Sequence, residues 1–315
     1  MSRLLLILFL CSLFTRSYAT TWDEPWADQV IKHATSFVLA KVIENDEAKG
    51  VRIIIIKTLG GKEVKDSIWI TGFYLLNTCS SSGHAPEFTI KGADSCFFFL
   101  RQDSTNRFCI ATPTSGFAYV LGEKVIATYR HSYHMASVPY NVYENTMKNI
   151  FDYYHDIPYD KSFITEFVNE YLNKKPAGYS EKEADIFFLQ HVAMESIYHL
   201  KLSGYEQLLI PFLNDKNNFH NQISAARALH SYNTTYAQQS LLKMIADSSQ
   251  SGFLRVMCIW SLAEMKPTQL KNALQQLQKS ASDETEGFGG NIMDPRVCTY
   301  IPSVKQAIDE LLAKL

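Results

Sequence analysis

The chain has 315 residues, of which 46% are hydrophobic and 20% charged, and its formal net charge is −2. That balance fits a globular protein of one to three domains. No block of Lys or Arg interrupts it, which argues against nucleic acid and anionic lipid as partners.

The first segment reads as a leader rather than as part of the fold. "MSRLLLILFLCSLFTRSYA" places Arg3 before an apolar run and ends on the small-x-small set Ser17-Tyr18-Ala19. This pattern predicts a secretory signal peptide over 1–19, too short for a stable membrane span, with a mature chain starting at Thr20. Loss of Arg3 and Arg16 moves the formal charge from −2 to −4. No later segment is apolar enough to cross a membrane. Cys79, Cys96, Cys109, Cys258 and Cys298 then remain, an odd number at irregular spacing, which argues against a disulfide framework. No Cys-x-x-Cys occurs, so zinc ribbons and thioredoxin-like redox chemistry find no support. The turn "QDSTN" pairs Phe99 with Cys109 and sets Cys96 and Cys109 on opposite sheet faces.

From Ser36 to about Tyr129 the residues predict short strands. "SFVLAKVI", "VRIIIIKTL", "DSIWITGF", "EFTI", "SCFFFL", "RFCIAT", "GFAYVL" and "KVIATY" are rich in β-branched and aromatic residues, and turn clusters such as Gly60-Gly61 separate them. The unalternating "IIII" at 53–56 predicts a strand buried on both faces. Strands this short at this spacing suggest a small barrel or sandwich. The run "FVLAKVI…VRIIIIKTLGG…FTIKGADSCFFFL" resembles the OB-like barrel of netrin-type modules. The tissue inhibitors of metalloproteinases share that barrel and chelate zinc through an N-terminal cysteine. Here the expected mature chain opens "TTWDEPW", with no cysteine, so the resemblance does not carry that inhibition.

"YRHSYHMASVP" at 129–139 follows the strands and places His131 and His134 three apart among tyrosines. On an extended chain the two side chains face opposite ways, and only a helical turn aligns them. Two readings follow: a tyrosine-rich seam between domains, or a metal site borrowing Asp152, His155 or Asp156 from the next helix.

From about Asn141 the period becomes helical, through segments running from "NVYENTMKNIFDYYH" to "SVKQAIDELLAKL". Ser180 with Glu183 predicts a capping box, and Gly204 a helix terminus. Leu208, Leu241 and Leu274 recur every 33 residues, and Ile223/Val256, Ala226/Ile259 and Leu229/Leu262 keep that offset. Such a period predicts stacked helix pairs. The stretches "LLIPFLND…NQISAARALHSY" and "LLKMIAD…LRVMCIWSLAEM" resemble HEAT-type repeats, which implies an α-solenoid.

Two constellations on these helices carry possible chemistry. His191, Glu195 and His199 form a stripe at four-residue spacing, an imidazole–carboxylate set of the kind zinc takes. A helical wheel puts Leu189, Val192, Ala193, Ser196 and Leu200 on the core side, so the stripe reads as a solvated polar face. Arg227 and Trp260 occupy the same repeat position and project away from the core stripe. On the concave face of a solenoid they would be neighbours, and both residue types favour binding hot spots. The competing reading is that the loop at 281–295 covers Trp260.

No nucleophile elbow, His-Glu-x-x-His, phosphate loop or dinucleotide fingerprint occurs, and "PTSGF" at 113–117 reads as a turn. The sequence therefore predicts an α+β protein: a leader at 1–19, a small OB-like barrel or sandwich at 20–140, and HEAT-like helix pairs at 141–315. The expected function is that of an exported binding or scaffolding protein, secreted or periplasmic. It would take a protein or peptide partner through Arg227 and Trp260, with no catalytic set and no cofactor. The alternative is a metal-binding protein or metal-dependent hydrolase using His131, His134 and His155.

Overall fold

The computed structural model describes residues 25–46, 48–71, 95–112, 115–129, 131–132, 134–285 and 301–315. The expected leader, Cys79, Cys298, "EFTI" and most of the 281–295 loop lie outside the described residues. A short helix, α1 (Ala27–His33), precedes eight strands: β1 (Ser36–Asp46), β2 (Gly50–Gly61), β3 (Ser67–Thr71), β4 (Ser95–Gln102), β5 (Phe108–Cys109), β6 (Phe117–Leu121), β7 (Lys124–Tyr129) and β8 (His134–Pro139). The strands join in the order β1-β2-β3-β5-β4-β6-β7-β8, and β1 also pairs with β4. That extra pairing closes β1, β2, β3, β5 and β4 into a five-stranded barrel. The other three strands run on from β4 as a curved extension.

The closure follows from β1 and β4 having apolar side chains on both faces. Val38, Ala40 and Val42 of β1 with Cys96, Phe98 and Leu100 of β4 point into the barrel and pack with Val51, Ile53 and Ile70. The alternate residues, Phe37 and Leu39 with Phe97 and Phe99, point out and join the core of the helices. Phe37 stacks on Phe99 with ring centroids 4.6 Å apart. These two strands are thus a wall shared by two cores, and each fully buried Phe contributes on the order of 1.5–3 kcal/mol.

β2 departs from expectation. Ile53 is buried, but Ile54 is 44% and Ile56 55% exposed, so "IIII" is not covered on both sides. The helices stand against the shared wall and touch β2 at Lys57 and Gly60, which leaves Ile54 and Ile56 largely open to solvent. The register of β2 with β1 shifts between Leu39 and Ala40, a bulge of the kind that bends a barrel strand. At its far end Gly60 and Gly61 close the strand, as expected, with Gly61 at φ 75°. A Cβ on Gly60 would lie 2.6 Å from the Phe151 ring, so glycine is what lets that ring seat between barrel and helices. The β4–β5 register sets Cys109 opposite Arg101, two residues from the expected Phe99. Parity survives the shift, and Cys96 and Cys109 are not joined to each other.

The helices follow from Tyr140: α2 (Tyr140–Tyr154), α3 (Lys161–Leu172), α4 (Ala184–Leu200), α5 (Glu206–Leu213), α6 (Phe219–Leu229), α7 (Thr235–Ala246), α8 (Gly252–Glu264), α9 (Lys271–Ser280) and α10 (Val304–Leu312). Side-chain caps fix several starts: Asp160 for α3, Asn218 for α6, Thr234 for α7, Ser251 for α8 and Ser303 for α10. Ser180 and Glu183 do hydrogen-bond, at 2.8 Å, but in the turn before α4. Lys201, not Gly204, takes the left-handed position that ends α4, at φ 52°. α3 packs on α4, α5 on α6 and α7 on α8, while α4, α6, α8 and α10 pack in succession. The 33-residue spacing is visible in this packing. Ile223, Ala226, Leu229, Val256, Ile259 and Leu262 are all buried, as are Leu241 and Leu274. No described helix is long and apolar enough to cross a membrane.

Candidate functional site

The barrel extension and the helices meet at α4, which touches β8 on one side and α3 and α6 on others. This helix has no single solvated face. His191, Glu195 and His199 are 0%, 3% and 2% exposed, so the polar stripe is buried, contrary to expectation. The wheel assumed one core, whereas α4 lies between two packed layers. A signal was available in the sequence: residues 184–200 contain no Lys or Arg, although a helix face open to water over four turns normally carries them.

What fills the seam is the 131–134 turn. Its two histidines diverge, as they would on an extended chain. The ring of His134 stacks on Tyr129 at 4.9 Å and lies 3.9 Å from the ring of His191. His191 Nδ1 meets Ser224 Oγ at 2.5 Å. Burial holds His134 at a pKa of about 3, helped by nearby His220, and pushes His191 well below the usual histidine range. These imidazoles are neutral.

His131 turns the other way, toward the C-terminal half of α4. Its Nε2 lies 3.1 Å from Asp28 Oδ1 of α1, and its ring sits edge-on to His199 at 4.9 Å. Ser132, next in the turn, donates a short hydrogen bond to Glu195 Oε1. The other oxygen, Oε2, accepts no hydrogen bond and stands 3.6 Å from His199 Nε2. His199 Nδ1 is paired with Tyr154 OH of α2 at 3.0 Å. One ligand-type atom from each of His131, Glu195 and His199 falls within 4.8 Å of the others. Burial raises the Glu195 carboxyl to about 7, against the pull of the Ser132 hydrogen bond and the Arg227 charge. It drives His199 far below its usual range, with His131 adding to the effect.

The structure does not bring His131, His134 and His155 together. His155 stacks on Phe151 at 4.1 Å and faces the Ile31 carbonyl oxygen at 3.2 Å. The second and third members beside His131, Glu195 and His199, come from α4 instead, because that helix, not the end of α2, lies against the turn.

Arg227 and Trp260 are neighbours as their spacing predicts, but their face is not open. Arg227 is 3% exposed. Its Nε donates to the His131 carbonyl oxygen at 3.1 Å, Nη1 to Ser261 Oγ at 3.1 Å, and Nη2 to Glu264 Oε1 at 2.8 Å. Its guanidinium also lies over the rings of Trp26 and Tyr198. Trp26, just before α1, stacks on His131 at 5.5 Å and meets Trp260 edge-to-face at 5.8 Å. The chain's own N-terminal segment thus covers this surface, a contact that no helical repeat pattern reveals. Beside these rings a cavity of about 510 Å³ remains, lined by Trp26, Asp28, Tyr198, Arg227, Trp260 and Glu264 among others. Both tryptophans stay half-buried there.

Compared with known proteins, the chain matches no family model, no curated protein and no solved structure.

Proposed function

We propose that this is an exported, non-catalytic binding protein that takes a segment of a protein or peptide partner at the Trp26–Trp260 cavity. The observation that carries the reading is the pair of half-buried tryptophans bordering a recess of about 510 Å³. Half-buried aromatic walls beside an Arg held by hydrogen bonds to His131, Ser261 and Glu264 favour insertion of a side chain, because little ordering remains to oppose binding. Asp28 and Glu264 balance Arg227 and Lys314 around the recess, so it suits a neutral amide or aromatic group better than an ion. The helix pairs behind it are read as a HEAT-type solenoid whose inner row, α4, α6, α8 and α10, supplies the floor.

The test is selection of a displayed random-peptide library on the wild-type protein, followed by binding of the enriched peptides to Trp26→Ala and Trp260→Ala. Hot-spot truncation is expected to weaken binding by about 30-fold or more, or about 2 kcal/mol. Failure to enrich any peptide, or equal binding to both folded variants, would overturn the reading.

A further inference from the structure

Three side chains at the seam are arranged as metal ligands are, apart from the cavity and whatever occupies it. His131, Glu195 and His199 offer two imidazoles and one carboxylate, a donor set that zinc and similar divalent ions take. Their ligand atoms lie within 4.8 Å of one another, and His199 Nε2 and Glu195 Oε2 stand 3.6 Å apart. Around a tetrahedral ion with bonds of about 2.0–2.1 Å, neighbouring ligand atoms are roughly 3.4 Å apart. That pair needs almost no movement to chelate.

The groups behind the three matter as much. Each has a second polar atom held by a different element: His131 Nε2 by Asp28 of α1, His199 Nδ1 by Tyr154 of α2, and Glu195 Oε1 by Ser132 of the turn. Outer partners of this kind fix ring orientation and tautomer in metal sites, and the Asp28 carboxylate assigns His131 to ligation through Nδ1. Without an ion, Glu195 Oε2 is a carboxylate oxygen with no hydrogen bond in a residue 3% exposed. A buried acceptor left open is destabilising, and a cation bound there would remove that penalty. The neighbouring histidine group lacks this design. Among the described residues, neither ring nitrogen of His134 has a side-chain hydrogen-bond partner, and no carboxylate acts on its charge.

We infer that His131, Glu195 and His199 form a binding site for one divalent transition-metal ion of the zinc type, which ties the turn between β7 and β8 to helix α4. The ligands come from both sides of the seam and are almost fully buried, so the ion acts as a clamp between the two layers.

The experiment uses the full chain, stripped with chelator and titrated with Zn²⁺ alone by competition against a chromogenic chelator, and with Co²⁺ by visible absorption. One ion per chain is expected, with the intense Co²⁺ bands of a site of low coordination number. Glu195→Gln and His199→Gln should each weaken Zn²⁺ binding by more than about 100-fold, and Asp28→Ala by about 10–100-fold. His134→Gln, in the adjacent group, should leave it unchanged. Absence of a stoichiometric ion, or wild-type affinity in a folded Glu195→Gln or His199→Gln protein, overturns the inference. Should both variants fail to fold, the wild-type Co²⁺ spectrum decides: faint bands of a six-coordinate ion would contradict the site.

Discussion

Two histidine groups sit side by side along helix α4, and they differ in what stands behind them. His131 and His199 each present one nitrogen to a partner on another element, with Glu195 between them held by Ser132. His134 and His191 face each other as neutral rings, with no carboxylate between them. Burial and histidine count are alike in the two. The difference lies in the second layer, and it is the second layer that separates a ligand set from packed aromatic side chains.

The strongest way to break the first group is to remove Arg227, which holds the His131 carbonyl oxygen in place. Arg227→Ala also strips hydrogen bonds from Ser261 and Tyr198 and the cation from two aromatic faces. Glu264, its ion-pair partner, keeps 38% exposure and can be rehydrated, which limits the loss. The expected cost is about 2–4 kcal/mol, read by urea unfolding. An unchanged midpoint would mean that Arg227 is a surface residue, as its repeat position alone suggested.

Ser132→Ala should cost about 1.5–3 kcal/mol, since it takes the donor from a buried carboxylate. Its counterpart in the second group is His134→Phe, which keeps a stacked ring of similar size and removes only nitrogens that have no side-chain partner. At neutral pH that change should move stability by less than about 1.5 kcal/mol.

The same variant sharpens the comparison in acid. His134 is held at about 3 in the folded protein against 6.5 when unfolded, and His230 at about 4. Between those values the unfolded chain binds more protons, so stability falls as the pH drops from about 6.5 toward 3. Each such histidine contributes up to about 1.4 kcal/mol per pH unit in that window. Urea unfolding of His134→Phe at pH 7 and pH 5 should show a slope shallower by about one proton. An identical slope would show that His134 is not buried neutral.

The smallest effect is expected at His155. Its Nε2 makes one hydrogen bond, to Ile31 at 3.2 Å, so His155→Gln should cost about 1 kcal/mol and leave Zn²⁺ affinity untouched. Loss of the ion in that variant would restore the three-histidine site that the turn and the next helix first suggested.

Much of the architecture was legible because it rests on local periods. The helical period expected from about Asn141 marks where α2 begins, at Tyr140, but the expected strands stop at about Tyr129 and leave out β8, His134–Pro139. The 33-residue recurrence marks the core positions of α6 and α8 because equivalent helices bury equivalent side chains. What could not be read is where the chain packs on itself over long range. Asp28 lies 103 residues from His131, and Ser132 lies 63 from Glu195. No spacing rule links them. A wheel drawn for α4 assigns one face to a core, and only the docking of β8 supplies the second. For the same reason Arg227 and Trp260 were placed together correctly, while Trp26, which covers them, carries no mark of that contact in its neighbours.

His131, Glu195 and His199 converge on one point of the seam, where a single ion would sit. Anomalous diffraction from zinc-soaked crystals at the zinc edge tests it without any assay. One strong anomalous peak per chain is expected between these three side chains, about 2.0–2.2 Å from an imidazole nitrogen of each histidine and from Glu195 Oε2. A seam with no peak, or zinc found on other residues alone, would contradict it.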